Sequence, residues 1–225
     1  MGILEKGHLI ETDRSGLVAQ YAGQTAVKTN KKIDESLDGV LFIDEAYSLI
    51  AEGGDDPYGY EAVQALLKRM EDDRQRLVVI LAGYPAPMAR LLGSNPGLSS
   101  RFSRHLTFAD YTPSELGQIF HRMCMKNQYT IPRAARAKLL LGLQWLYDHR
   151  DEHFGNGRTV RNLFELSIRR LANRIADISR LTRDQLTILD PDDVHPTGVP
   201  PEQLAALTES PRPFRIVCPG CSSQC

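Results

Sequence analysis

The run Gly39-Val40-Leu41-Phe42-Ile43-Asp44-Glu45-Ala46 constrains this chain more than any other stretch. Four apolar residues end in two adjacent carboxylates. Such a run is what a strand buried on both faces of a parallel sheet requires. A parallel sheet presents its chemistry at the carboxyl ends of its strands. An Asp there can hold the water shell of a Mg²⁺ ion, and the Glu beside it can orient or deprotonate a water. Acidic residues also end strands and cap helices with no further role, so the pair alone leaves both readings open.

The rest of the chain supplies the sheet. Residues 8–12, 40–43, 77–82 and 105–108 read as short strands. Between them lie helical patterns at 15–20, at 25–37, and over a stretch with Tyr60, Val63, Leu67 and Met70 on one face. Strands alternating with helices indicate a parallel α/β sheet. Residues 52–58, with paired Gly and paired Asp, form a flexible loop. Thr112-Pro113-Ser114-Glu115 then opens a helix, with Thr as N-cap, Pro at the first position and Glu at the third. Further helices follow at 134–147 and 159–178. From about His195 the chain turns Pro-rich and loses periodicity, as a linker does. The expected division is an α/β subdomain over 1–110, a helical subdomain over 111–194, and a linker with a Cys-rich tail over 195–225.

A length of 225 residues fits one sizeable domain and a smaller one. The net charge of −1 gives no general field for polyanions, which disfavours nucleic acid as the main partner. No apolar stretch approaches the length of a membrane span, and the residues after Met1 lack the apolar core of an export signal. A cytoplasmic location without a membrane partner is the expectation. Cys124 sits inside a helical pattern and reads as a small buried hydrophobe.

Three features strengthen the functional reading of Asp44 and Glu45. Arg101 follows the third strand in Asn95-Pro96-Gly97-Leu98-Ser99-Ser100-Arg101, where an Arg held out on a loop can reach a phosphate bound by a neighbouring subunit. Its bland alternative is a surface ion pair, worth little. Gly155-Asn156-Gly157-Arg158-Thr159-Val160-Arg161 puts two guanidinium groups at a helix start, a natural anion site or merely solvated charge. Tyr21-Ala22-Gly23 places an aromatic on a loop with a Gly hinge, either exposed or packed on the body.

Taken in order, the stretches Gly7-His8-Leu9-Ile10-Glu11-Thr12-Asp13-Arg14, Tyr21-Ala22-Gly23-Gln24-Thr25, Leu41-Phe42-Ile43-Asp44-Glu45-Ala46-Tyr47, Ala82-Gly83-Tyr84, Ser94-Asn95-Pro96-Gly97-Leu98 and Gly155-Asn156-Gly157-Arg158 resemble the CbxX/CfqX branch of the AAA+ ATPases. That branch includes the red-type Rubisco activase, a sporulation ATPase and the ATPase of type VII secretion. The resemblance runs from about Gly7 to Val194. It implies a P-loop NTPase-like α/β fold followed by a helical lid, and an ATP-binding, chaperone-like hydrolase that remodels a protein substrate as an oligomeric, hexameric ring with ATP and Mg²⁺. Asp44 and Glu45 match the Walker B acids, with Asp44 holding Mg²⁺ through water and Glu45 activating the attacking water. Tyr84 falls at the sensor-1 position, Arg101 at the arginine finger, and Arg158 at the sensor-2 arginine, with Arg161 in support. Tyr21, with Ala22 and Gly23, matches the pore loop that grips an extended polypeptide, and residues 52–58 a second pore loop.

Two departures stand out. Ser99 replaces an Arg found in many relatives, so Arg101 lacks its companion, with Arg104 a substitute candidate. More seriously, no G-x-x-x-x-G-K-S/T stretch exists to cradle phosphate. Gly23-Gln24-Thr25-Ala26-Val27-Lys28-Thr29 mimics one, but has Val27 at the second Gly and is one residue short. In AAA+ relatives the missing strand lies between strands 77–82 and 105–108, and its loss would leave backbone groups unpaired beside both. The expectation is a fragment of a longer ATPase, inactive alone; the alternative is a non-hydrolysing scaffold that binds partners through the same surfaces. Separately, Cys218-Pro219-Gly220-Cys221 has the spacing of a zinc knuckle, with Cys225 as a third candidate ligand, as in half of a zinc ribbon. A disordered tail with incidental cysteines is the other reading.

Overall fold

The computed structural model describes residues 4–21, 23–51, 56–151 and 154–203. The chain divides into two compact units, Met1–Thr107 and Phe108–Cys225.

The first unit holds three parallel strands in the order β1 (Leu9–Thr12), β2 (Gly39–Ile43), β3 (Leu77–Leu81). Val40 pairs with Leu9 on one side and Val78 on the other; Phe42 pairs with Glu11 and Ile80. Alternation along each strand therefore sorts the side chains into two faces. Ile10, Leu41, Ile43, Leu77, Val79 and Leu81 share one face and enter the apolar core. The core is completed by Leu17 of α1 (Arg14–Leu17), Ile33 of α2 (Thr25–Glu35), and Val63, Leu66 and Leu67 of α3 (Pro57–Asp72). Leu91 of α4 (Pro85–Gly93) and Leu98 of α5 (Pro96–Arg101) close it.

The opposite face is bare among the described residues. Val78 and Ile80 are 37% and 44% exposed, Leu9 is exposed, and Val40 and Phe42 are half-buried. The all-apolar β2 run anticipates cover on both faces; only one is covered here. Among the described residues β3 also has a free edge. Ala82 N–H donates to Ile43 C=O, and Ala82 C=O accepts from Ala46 N–H, so even-numbered residues of β3 point their backbone groups at β2. The groups of Val79 and Leu81 consequently point outward, without a strand partner among the described residues.

The strand expected at 105–108 does not form. The segment is irregular and exposed, with Leu106 at 87% and Phe108 at 91%. A strand exists by pairing, and the neighbour that would pair with both this segment and β3 is not among the described residues.

The second unit is helical: α6 (Pro113–Lys126), α7 (Arg133–Asp148), α8 (Gly157–Ile175) and α9 (Arg183–Thr187). The capping box legible in the sequence forms, as Thr112 Oγ1 accepts from Glu115 N–H and Glu115 Oε2 accepts from Thr112 N–H at 2.8 Å. Leu116, Phe120 and Cys124 of α6 pack against Leu139 and Leu143 of α7 and Val160, Leu163 and Phe164 of α8. The Phe120 and Phe164 rings meet edge-on at 5.7 Å. Cys124 is part of this core, and burial pushes its thiol up to about 11, so it serves as packing and not as a nucleophile. Packing continues past residue 194: Pro196 lies against Gly142, and Val199 is buried.

Candidate functional site

Asp44 and Glu45 stand where β2 ends. Asp44 N–H donates to Thr12 C=O at 2.8 Å, the last link to β1. Its Oδ1 accepts from Glu45 N–H at 2.9 Å, which fixes one carboxylate oxygen and leaves the other open to solvent. Glu45 then takes a left-handed backbone, φ 46° and ψ 43°. For a residue with a Cβ this costs roughly 1–2 kcal/mol. Neighbouring bonds hold it: Ala46 N–H donates to Ala82 C=O at 2.9 Å, and Ser48 N–H to Glu45 C=O at 2.8 Å. The chain then enters a 3₁₀ turn, Ala46–Leu49, whose Ala46 and Leu49 are buried. The acid pair is thus exposed at the sheet's carboxyl end on a backbone anchored from both sides.

Tyr84 joins this group. It directly precedes α4 just beyond β3, and its ring centre lies 6.3 Å from that of Tyr47. Tyr47 is a member that sequence reasoning missed, although an aromatic two residues after the acid pair was a legible signal. Its hydroxyl is pushed above the ordinary phenol range by burial, then by the negative charge of nearby Glu45. Asp44, Glu45, Tyr47 and Tyr84 therefore form one constellation.

Arg101 is placed differently from expectation. It is the last residue of α5, a helix capped by Asn95 Oδ1 accepting from Gly97 N–H at 2.7 Å, with Pro96 at its first position. The loop reading is corrected: Asn-Pro-Gly here starts a helix. Arg101 Nη2 lies 3.4 Å from Glu71 Oε2 on the last turn of α3, an exposed ion pair of modest strength. Tyr21 is 68% exposed on the turn between α1 and α2, and Gly23 in that turn has φ +74°, which a side chain would strain. Ala22 and residues 52–55 lie outside the described residues.

Arg158 and Arg161 belong to the second unit. Both are exposed on the first turns of α8, and neither guanidinium has a hydrogen-bond or ion-pair partner among the described residues. The preceding Asn156 ties this helix start to the segment before α6, accepting from Tyr111 N–H at 3.2 Å and donating to Asp110 Oδ1 at 3.0 Å.

Among the described residues no group of three or more His, Cys, Asp or Glu could enclose a metal, and no helix is long and apolar enough to cross a membrane. Cys218, Cys221 and Cys225 lie outside the described residues. The open oxygen of Asp44 and the exposed Glu45 fit the water shell of a Mg²⁺ ion. No phosphate cradle accompanies them in this sequence.

Comparison with known proteins shows the family. The family model "ATPase family associated with various cellular activities (AAA)" matches residues 3–110, and the "AAA lid domain" model matches residues 112–203. A CfxQ homologue of Trieres chinensis is 42% identical over 198 residues, covering 86% of this chain and 67% of its own length. The stage V sporulation protein K of Bacillus subtilis (strain 168) is 42% identical over 195 residues, covering 86% of this chain and 60% of its own length. The chain thus spans about two thirds of the length of these curated relatives. Among solved structures, the FIGL-1 AAA domain in complex with ADP superposes with a TM-score of 0.56 at 20% identity, over 88% of this chain and 66% of that one, a likeness of fold alone. With its acid pair at the end of a parallel strand and both family models matched in order, the chain belongs to the AAA family of ATPases, on the CbxX/CfqX branch with the CfxQ homologues and the sporulation protein.

Proposed function

We propose that this chain is the Walker B and lid portion of an ATP-dependent protein-remodelling ATPase, whose phosphate loop is supplied by residues outside the sequence. Residues 1–110 form the nucleotide-binding part in this reading, 111–194 the lid, and 195–225 a tail. Asp44 holds the Mg²⁺ shell and Glu45 positions and deprotonates a water. The metal supplies charge neutralisation at the phosphates. Tyr84 orients polar groups beside the acid pair, Arg101 reaches a phosphate across a subunit boundary, and Arg158 with Arg161 answers nucleotide charge from the lid. The ring of subunits passes an extended protein substrate along Tyr21, Ala22 and Gly23.

The observation that carries this reading is the exposed, left-handed Glu45 at the carboxyl end of β2, one strand in from an edge of β3 that is open among the described residues. In a version of the protein that carries a phosphate loop, Glu45→Gln retains ATP and loses turnover by at least about a hundredfold, the weight of a lost general base. Normal hydrolysis by that variant overturns the role of Glu45. The present polypeptide alone turns over ATP negligibly, and robust activity of purified material contradicts that.

A second reading, a non-hydrolysing scaffold, is favoured by the missing G-x-x-x-x-G-K-S/T motif. The coding sequence upstream of Met1 separates the two. An in-frame strand followed by that motif supports the motor, and an intervening stop codon supports the scaffold.

A further inference from the structure

One guanidinium ties α1 to two points of a stretch more than thirty positions later in the first unit. Arg14 Nη1 donates to Ser48 C=O at 2.8 Å, to Leu49 C=O at 2.7 Å and to Asp56 Oδ2 at 2.6 Å. The two carbonyls end the 3₁₀ turn that begins directly after Glu45. Asp56 is 5% exposed and has its own partners: Oδ2 accepts from Ala51 N–H at 3.0 Å, and Oδ1 accepts from Gly59 N–H at 2.9 Å at the start of α3. A Cβ on Gly59 would lie 1.8 Å from Leu49 C=O, so the backbone at this junction closes only around glycine. Arg14 thereby pins both ends of the segment between the acid pair and α3.

Behind Arg14, α1 is fastened just as firmly to α2. Lys28 Nζ donates to Ser15 C=O at 2.5 Å and to Val18 C=O at 3.0 Å; Thr29 Oγ1 donates to Leu17 C=O at 3.0 Å; Ala19 N–H donates to Thr25 Oγ1 at 3.1 Å. The exposed Tyr21 sits on the turn these bonds enclose. A force on that turn is borne by α1, and α1 is joined to the Glu45 turn through Arg14.

We propose that Arg14 is a positioning residue that couples the Tyr21 turn to the Glu45 turn, with buried Asp56 as its anchor. The proposal rests on the reading of Tyr21 and Glu45 given above. A merely structural brace predicts local loosening when Arg14 is removed; a coupling residue predicts that a disturbance on one side is felt on the other only while Arg14 is present.

Amide hydrogen exchange on the present chain, without nucleotide, tests this. Lys28→Met removes the two lysine bonds that hold Ser15 and Val18, loosening α1 on α2 without touching residues 46–51. With Arg14 in place, exchange in 46–51 rises about tenfold, the equivalent of one charge-assisted hydrogen bond. In the Arg14→Ala background, Lys28→Met adds nothing further in 46–51. Arg14→Lys keeps the charge but not the planar fork and gives an intermediate coupling; it replaces the alanine arm if circular dichroism finds that Arg14→Ala fails to fold. No rise on Lys28→Met with Arg14 present, or an equal rise in both backgrounds, overturns the proposal. The measurement involves no hydrolysis, so failure of the ATPase reading in the Glu45→Gln experiment is a separate result.

Discussion

Tyr47 and Tyr84 face each other beyond the carboxyl ends of β2 and β3, ring centres 6.3 Å apart and planes tilted by 46°. Gly83 makes room for the pair. A Cβ there would lie 2.7 Å from Tyr47 Cδ1 and 2.9 Å from Met88 Sδ, closer than such atoms approach. The glycine before Tyr84 thus serves the packing of the acid-pair region.

Gly83→Ala is expected to displace Tyr47 and to cost about 1–3 kcal/mol, the usual range for overpacking. Tyr47→Phe keeps the ring and removes only the hydroxyl near Glu45, at about 1 kcal/mol or less. Denaturant unfolding of the two variants checks the order. Equal, small effects for both would mean that the Tyr47 ring yields freely to the added methyl.

Asp56 gives a pH-dependent prediction. The hydrogen bond from Arg14 holds its carboxyl below the ordinary value of 3.8 against the opposing effect of burial, with the Gly59 and Ala51 amides assisting. A carboxyl depressed in the folded state stabilises the protein above its unfolded value, and that stability is lost as pH falls through the folded value. Asp56→Asn should therefore destabilise by about 2 kcal/mol at neutral pH, as for a charge-assisted bond. Its deficit should begin to shrink as the pH drops below about 4 and be gone once the pH has passed the lower folded value, where wild type also loses the ionised partner. Unfolding midpoints measured across that range check it; a deficit independent of pH would mean that Asp56 acts through shape alone.

What the sequence revealed and what it concealed follows from how local each interaction is. The acid pair at the end of β2 and the Thr112–Glu115 capping box depend on residues within a few positions, and both were legible. Arg101 depended equally on local chemistry, but Asn95-Pro96-Gly97 resembles a loop until Asn95 Oδ1 is seen to cap α5. The segment at 105–108 has the apolar alternation of a strand, yet a strand needs a partner, and none is described beside it. Arg14 and Asp56 are separated by 42 positions, and nothing in either neighbourhood announces the other. The division at 194/195 followed the loss of periodicity, whereas Val199 is held by tertiary packing that composition does not register.

The bare sheet face gives the last prediction. Ile80 is on the uncovered face of β3, beside Phe42 in register. Apolar parallel strands are ordinarily covered on both faces, and an uncovered edge such as that of Val79 and Leu81 is a template for another strand. In the present chain, Ile80→Lys should change stability by no more than about 0.5 kcal/mol, as at other exposed sites. In a longer version in which a strand pairs with β3 and a helix lies over Val40, Phe42, Val78 and Ile80, the same lysine would be buried. It should then cost about 2–5 kcal/mol from lost apolar burial and an ammonium moved out of water. Denaturant unfolding of wild type and variant in both lengths measures the difference. An equally small effect in the longer protein would mean that its added residues leave this face open, and the open strand position beyond β3 would lose its meaning as half of a nucleotide site.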